Sequence, residues 1–307
     1  MPITASALRP TFEQSPGGKR LDGDRDEAAA IKTYRYLRLG ILLVVLALAG
    51  ALFKQWRAAG CAQGSISAYY YTPVGPLFVG GMVAIGVSLI VIKGATVLED
   101  VCLSLAGMLA PIVAFVPTTY EPSCVPHQLP GKGSTTLPPD ILDRVHNNIW
   151  ALLVAGTAAI AVGLFLIIAE QNEKKVSTSS QTPRWILLGF NALVVFAGWW
   201  WYASGRIIKL HGWSAVFMFA ALAVASLASG ISLWRIKSGV RKPKHWKWHA
   251  GVYVTVGVLM AVLGLVIGQW PGHWAHRTLV QELIEICLFA VMWVVQSIER
   301  WGKTIAA

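Results

Sequence analysis

The sequence predicts an all-α, polytopic transmembrane bundle of about eight spans, and three observations carry that prediction. The 307 residues are 55% hydrophobic and 13% charged, with a mean hydropathy of +0.56, too apolar for a soluble globule of this length. The apolar residues form long continuous windows, which suit helices crossing a hydrocarbon core of about 30 Å and not the alternating strands of a membrane barrel. The basic residues, finally, are shared unequally between alternate connections, as in chains oriented by the positive-inside rule.

The windows run Leu39 to Phe53, Gly75 to Ile92, Val101 to Val116, Ile149 to Ala169, Trp185 to Ala203, Trp213 to Trp234, Ala250 to Ile267 and Leu279 to Ile298. The first and third are the shortest. Residues 1–33 are polar and lack the apolar core of a signal peptide, so they read as a disordered cytoplasmic tail ahead of a transmembrane domain, residues 34–307. With the N-terminus inside, 19 of the 26 Lys and Arg fall on inner segments, among them seven before the first window and six between Arg235 and Lys247. The net charge of +11 is then topological. It predicts both termini in the cytoplasm, a multi-pass protein of the cell's inner membrane, and no nucleic-acid partner, since no aromatic-basic binding pattern accompanies it. Trp150, Trp185, Trp234, Trp246, Trp248, Trp270, Trp274 and Trp301 lie at window ends, where amphipathic rings prefer the headgroup level, and Trp199, Trp200 and Trp201 cluster at the outer end of the fifth.

Connections between windows are mostly short, which makes sequential helices antiparallel neighbours. The longest runs from Pro117 to Asn148 and holds six prolines. Cys61 and Cys124 fall in the first two outer loops, on the oxidising side, and predict a disulfide, whereas Cys102 and Cys287 lie within spans. Pro111 is the expected kink of the third span. Gly264 and Gly268 form a GxxxG in the seventh, a spacing that admits a close neighbour helix.

Carboxylates inside spans are the most informative polar residues, because they are costly in lipid and are turned inward. In VQELIEI, Gln281, Glu282 and Glu285 share a helical face with Met292 and Gln296. Thr278 is placed to cap that helix, with Gln281 completing a capping box. Ser67, in GSISAYYYTP, and His146, in RVHNNIW, are the residues expected to meet this face, so the predicted pocket comprises Gln281, Glu282, Glu285, His146 and Ser67, with Glu285 opposite His146. Five of seven histidines fall on the outer side. Of these, His146, His211, His273 and His276 are candidate metal ligands, with Glu285 as a general base, and two outer histidines are candidate axial haem ligands. His245 and His249 have HxxxH spacing, but Lys244 and Lys247 beside them disfavour a dication. Glu99 and Asp100 open the third span, where acids compensate the helix dipole.

GSISAYYYTPVGPLFVGGMVAIG, the following LED and VPT, RVHNNIWALL and VQELIEICLFAVMWVVQ together resemble a loose group of uncharacterised bacterial multi-spanning proteins of domain-of-unknown-function type. That resemblance implies a bundle and singles out Ser67, Asp100, His146 and Glu285. A more distant similarity is to the membrane hydrolase superfamily of alkaline ceramidases and adiponectin-type receptors, whose pattern implies Ser, His and Asp around zinc with a terminal HxxxH. Here the last span carries ExxE instead.

Three function classes follow. The first is a non-catalytic membrane protein, either a subunit of a larger membrane complex or a binder or transporter of lipids or small solutes, with membrane lipids as partners and a polar pocket opening outward. The alternative is a metal-dependent hydrolase of lipid amides or esters at the outer face, and a further alternative is a haem-binding electron carrier. The sequence favours neither zinc nor haem and leaves open whether the protein is an enzyme.

Overall fold

The computed structural model describes residues 16–118, 137, 139–172, 178–236, 245–269 and 276–301. Among these the chain forms eight α-helices and no strand: α1 (Pro16–Ala59), α2 (Gly75–Val91), α3 (Val97–Phe115), α4 (Pro139–Asn172), α5 (Thr178–Ala203), α6 (Leu210–Trp234), α7 (Trp246–Gln269) and α8 (Arg277–Arg300). Seven are long and apolar enough to cross a membrane. The exception is α2, at 17 residues.

The first and third windows lengthen for local reasons. In α1 the run EAAAIKTYRYLRL, rich in good helix formers, feeds straight into the apolar stretch, so the helix spans 44 residues. Residues 16–33 of the expected tail lie in α1, and residues 1–15 of it lie outside the described part. In α3 the helix begins ahead of its apolar window because the Thr96 side chain accepts from Glu99 N at 3.1 Å and caps it.

Burial separates a centre from a periphery. The spans of α3 and α6 are 67% and 56% buried, whereas those of α4 and α5 are 6% and 0% buried. One large core joins α1, α2, α3, α6, α7 and α8 around Ile41, Leu103, Tyr253, Met292 and Trp293. The α4–α5 hairpin packs on α3 through a smaller cluster of Val116, Val145, Ile149, Leu153 and Ile207. It leaves Phe165, Phe196 and Trp200 exposed, the surface a membrane helix turns to lipid.

Small residues set the closest helix approaches, as van der Waals packing in lipid requires. A Cβ on Gly107 would stand 2.6 Å from the Gly86 carbonyl oxygen and 2.7 Å from Ile90 Cγ1, so the α2 and α3 backbones touch there. Between α6 and α7, a Cβ on Gly257 would lie 2.9 Å from the Ala223 carbonyl oxygen. The GxxxG glycine Gly264 behaves differently from expectation: no neighbouring backbone approaches it, and its Cβ would meet only Glu285 Oε1, at 3.9 Å.

Both described chain ends lie at one end of the bundle. The Tyr34 hydroxyl of α1 and Arg300 Nη1 of α8 both donate to the Lys93 carbonyl, at 3.1 and 3.3 Å. We call this the terminal end. The far end gathers the segment between α1 and α2, the C-terminus of α3 and the start of α8.

Candidate functional site

A polar cluster sits at each end, and α8 is common to both. Glu285, Met292 and Gln296 are each 1% exposed, so the polar face expected of this helix does look into the bundle.

At the far end, residues 61–72 fold over the start of α8. Leu279 N donates to the Gly64 carbonyl at 2.9 Å, and His276 Nδ1–H donates to the Gln63 carbonyl at 3.3 Å. The Glu282 carboxylate accepts from Ile66 N at 2.5 Å and from the backbone and hydroxyl of Ser67. It thereby satisfies the free N–H groups that open the 3-10 helix Ser67–Tyr71. Sequence reasoning placed Ser67 and Glu282 in one pocket, and the structure brings them together. Thr278 makes no cap: the helix begins at Arg277, one residue before the predicted capping position, and His276 at the cap position makes no side-chain cap bond.

Glu285 lies three residues further along, roughly 4.5 Å deeper at 1.5 Å per residue. Unlike Glu282, it is 1% exposed and its Oε2 makes no hydrogen bond among the described residues. The side chain borders a cavity of about 540 Å³ between α6, α7, α8 and residues 64–68. Ala215 and Phe219 of α6 and Met260, Ala261 and Leu265 of α7 supply an apolar wall. Ser65, Thr118, His211, Gln281, Glu282 and Glu285 supply the polar one, and no lysine or arginine among the described residues lines the space. At the rim, Val216 and Leu265 are exposed. A second, apolar cavity of about 60 Å³ lies deeper in the bundle and shares Ala215, Phe219 and Glu282 with the first.

The histidines disperse. His211, at the start of α6, is buried and lines the cavity, and its Nδ1–H donates to the Val116 carbonyl. His146 does not reach this cavity. It sits on the α4–α5 hairpin, its Nδ1–H donating to the Leu142 carbonyl at 2.9 Å and its ring edge-on to Tyr202 at 6.1 Å. The expected pairing of Glu285 with His146 therefore does not form, because α4 packs on α5 and α3. With His146, His211 and His276 each held by a different carbonyl, no three His, Cys, Asp or Glu among the described residues come together as a metal site. His273 lies outside the described residues. His245 precedes α7 with φ of 60°, so the HxxxH is not borne on one helical face. The disulfide expected between Cys61 and Cys124 rests on a residue, Cys124, outside the described part. The free thiols among the described residues are Cys102, buried, and Cys287, exposed.

The terminal end holds the cluster that sequence reasoning missed. Glu99 is fully buried. Its carboxylate accepts from Arg300 Nη2 at 2.8 and 3.0 Å, from Gln296 Nε2 at 2.6 Å and from Ala95 N at 2.7 Å. Gln296 relays to α1, its Oε1 accepting from Arg38 Nη1 at 2.9 Å. Arg38 is 2% exposed and is flanked by the rings of Tyr34 and Trp293, 4.6 and 4.8 Å away. Tyr253 of α7 donates to Glu299 of α8 at 2.8 Å, and Asp100 accepts from Gly94 N. A Cβ on Gly94 would fall 2.8 Å from Glu99 Cβ, so only glycine lets the α2–α3 link close over the acid. The available signal was that Arg38, Glu99 and Arg300, charges of both signs, and the polar Gln296 all fall toward the inner end of their respective windows. Asp100 and His146, both singled out by the resemblance, lie at opposite ends of the bundle. No protein-family model, curated protein or solved structure matches the chain.

Proposed function

We propose that this multi-pass membrane protein is a non-catalytic binder or carrier of a small solute or lipid headgroup, taken up in the far-end cavity. The observation that carries the reading is Glu285: a buried carboxylate whose Oε2 has no hydrogen-bond partner among the described residues, bordering a space of about 540 Å³, within the range of small-molecule sites. Unsatisfied buried charges are costly and are found where a ligand completes them. Metal-dependent hydrolysis has less support, since the described histidines are held apart by three separate carbonyls.

The concentration of Lys and Arg on the terminal-end segments supports a cytoplasmic terminal end. The cavity then opens to the outside of an inner cell membrane, where Cys61 and Cys124 would be oxidised to a disulfide. Labelling of intact cells tests the orientation and the opening together. In a background with Cys102→Ser and Cys287→Ser, a Leu265→Cys variant at the exposed rim reacts with a membrane-impermeant maleimide added outside, and the background alone does not. Labelling only after the cells are permeabilised would reverse the assignment.

A further inference from the structure

We infer that the far-end cavity takes an organic monocation, an ammonium group on an aliphatic body, with Glu285 as its counter-ion. This rests on the pocket reading above and adds the chemical class of the occupant.

Three buried or half-buried acids can be compared within the one fold. Glu99 receives Arg300 and Gln296, and Glu282 receives the amides of the 65–68 turn. Glu285 Oε2 receives no hydrogen bond from the described residues, although Glu285 is 1% exposed and Glu99 0%. What it lacks is what an ammonium group supplies: positive charge and several N–H donors in a compact head.

The rest of the cavity fits the same class. It carries the carboxylates of Glu282 and Glu285 and no lysine or arginine among the described residues, so it repels anions. Its wall is largely apolar, with Ala215, Phe219, Met260, Ala261 and Leu265 facing the space. Such a wall suits an alkyl or methylated body and does not provide the six or more oxygens that a hard divalent ion requires. Gly264 beside Glu285 Oε1 leaves room at the carboxylate itself, since even a Cβ there would stand 3.9 Å away. The apolar rim at Val216 and Leu265 gives access from the bilayer as well as from water. The ammonium can therefore come from a free amine or from an amine-bearing lipid headgroup.

The test uses the full chain in lipid nanodiscs, with n-hexylamine and its uncharged analogue n-hexanol as probes in calorimetric titrations near neutral pH. Hexylamine is expected to bind about 10- to 100-fold more tightly than hexanol, the ratio for one charge-assisted hydrogen bond. In Glu285→Gln that preference should collapse to about twofold while hexanol affinity stays the same. In Ala261→Trp, which fills the cavity without touching the charge, both probes should lose binding, so the inference stays testable if Glu285→Gln does not fold. Nanodiscs with and without phosphatidylethanolamine then distinguish the source. Competition by that lipid assigns the ammonium to a headgroup, and no competition assigns it to a free amine; either result supports the cation. Equal affinity of the two probes, a preference surviving in Glu285→Gln, or displacement of hexylamine by equimolar sodium would overturn the inference while leaving the pocket in place. Failure of both probes to bind the wild-type chain would overturn the pocket reading as well.

Discussion

The two ends of the bundle hold one buried carboxylate each, and they differ in everything but burial. Glu99, 0% exposed, is enclosed by Arg300, Gln296 and a backbone amide, whereas Glu285, 1% exposed, faces a cavity without a partner. Burial of an acid in a membrane helix thus has two meanings, and partnering distinguishes them. The saturated acid joins helices: Glu99 ties α3 to α8 directly and to α1 through the Gln296 relay. The unsaturated acid, in the proposed function, is the one completed by a ligand from outside the chain.

Removing the saturated acid should do the most damage. Glu99→Ala takes from Arg300 and from the Gln296–Arg38 relay the carboxylate they bond directly, and breaking a buried pair from one side costs about 3–5 kcal/mol. Unfolding in mixed detergent should show this loss, and Arg300 should become reactive to guanidinium reagents. A Glu99→Ala protein as stable as wild type would remove the basis for calling this end structural. A packing control comes next. Gly107→Val drives a side chain into the Gly86 carbonyl and Ile90, so overpacking should cost about 1–3 kcal/mol without altering ligand binding at the far end. Binding lost in step with stability would mean that the two ends are not independent.

Glu282 is intermediate, polar-partnered but bordering the cavity. Glu282→Ala removes the acceptor that caps residues 66–67, a loss of about 0.5–2 kcal/mol for a helix cap. Its effect should be local, with faster hydrogen exchange in residues 61–72 and unchanged protection around Glu99. Loss of protection spreading to the terminal end would show that Glu282 supports the whole bundle and not the 61–72 segment alone.

The features legible in the sequence were those with a period. Continuous apolar windows predicted the helical bundle, and the spacing of Glu285, Met292 and Gln296 predicted the inward face of α8. Lys and Arg bias predicted that the two ends of the chain share a side, and among the described residues Tyr34 of α1 and Arg300 of α8 meet at the Lys93 carbonyl. Long-range pairing was not legible. Arg38 and Gln296 are 258 residues apart and Gln296 and Glu99 are 197 apart, so nothing local marks their contact. Glu99 in a first helical turn also has a sufficient local explanation in the helix dipole, which conceals its tertiary role. His146 was misplaced for a related reason. Short connections make α4 and α5 antiparallel neighbours but do not say which helices they pack on, and the hairpin lies at the periphery against α3.

Glu285→Leu should have the smallest effect on stability and is the sharpest test of the contrast. At Glu99 the hydrogen bonds from Arg300 and Gln296 oppose the desolvation cost; at Glu285 Oε2 no hydrogen bond from the described residues does. Replacing an unpartnered buried polar group by an apolar one of similar volume removes a desolvation cost of about 1–3 kcal/mol and loses no hydrogen bond. The expected unfolding midpoint of the ligand-free variant is therefore equal to or above that of the wild type. Added hexylamine should raise the wild-type midpoint, because a ligand that binds only the native state stabilises it by mass action, and should leave Glu285→Leu unmoved. A variant that is both less stable and still shifted by the amine would place Glu285 with Glu99 as a structural acid, and the distinction between the two ends would be lost.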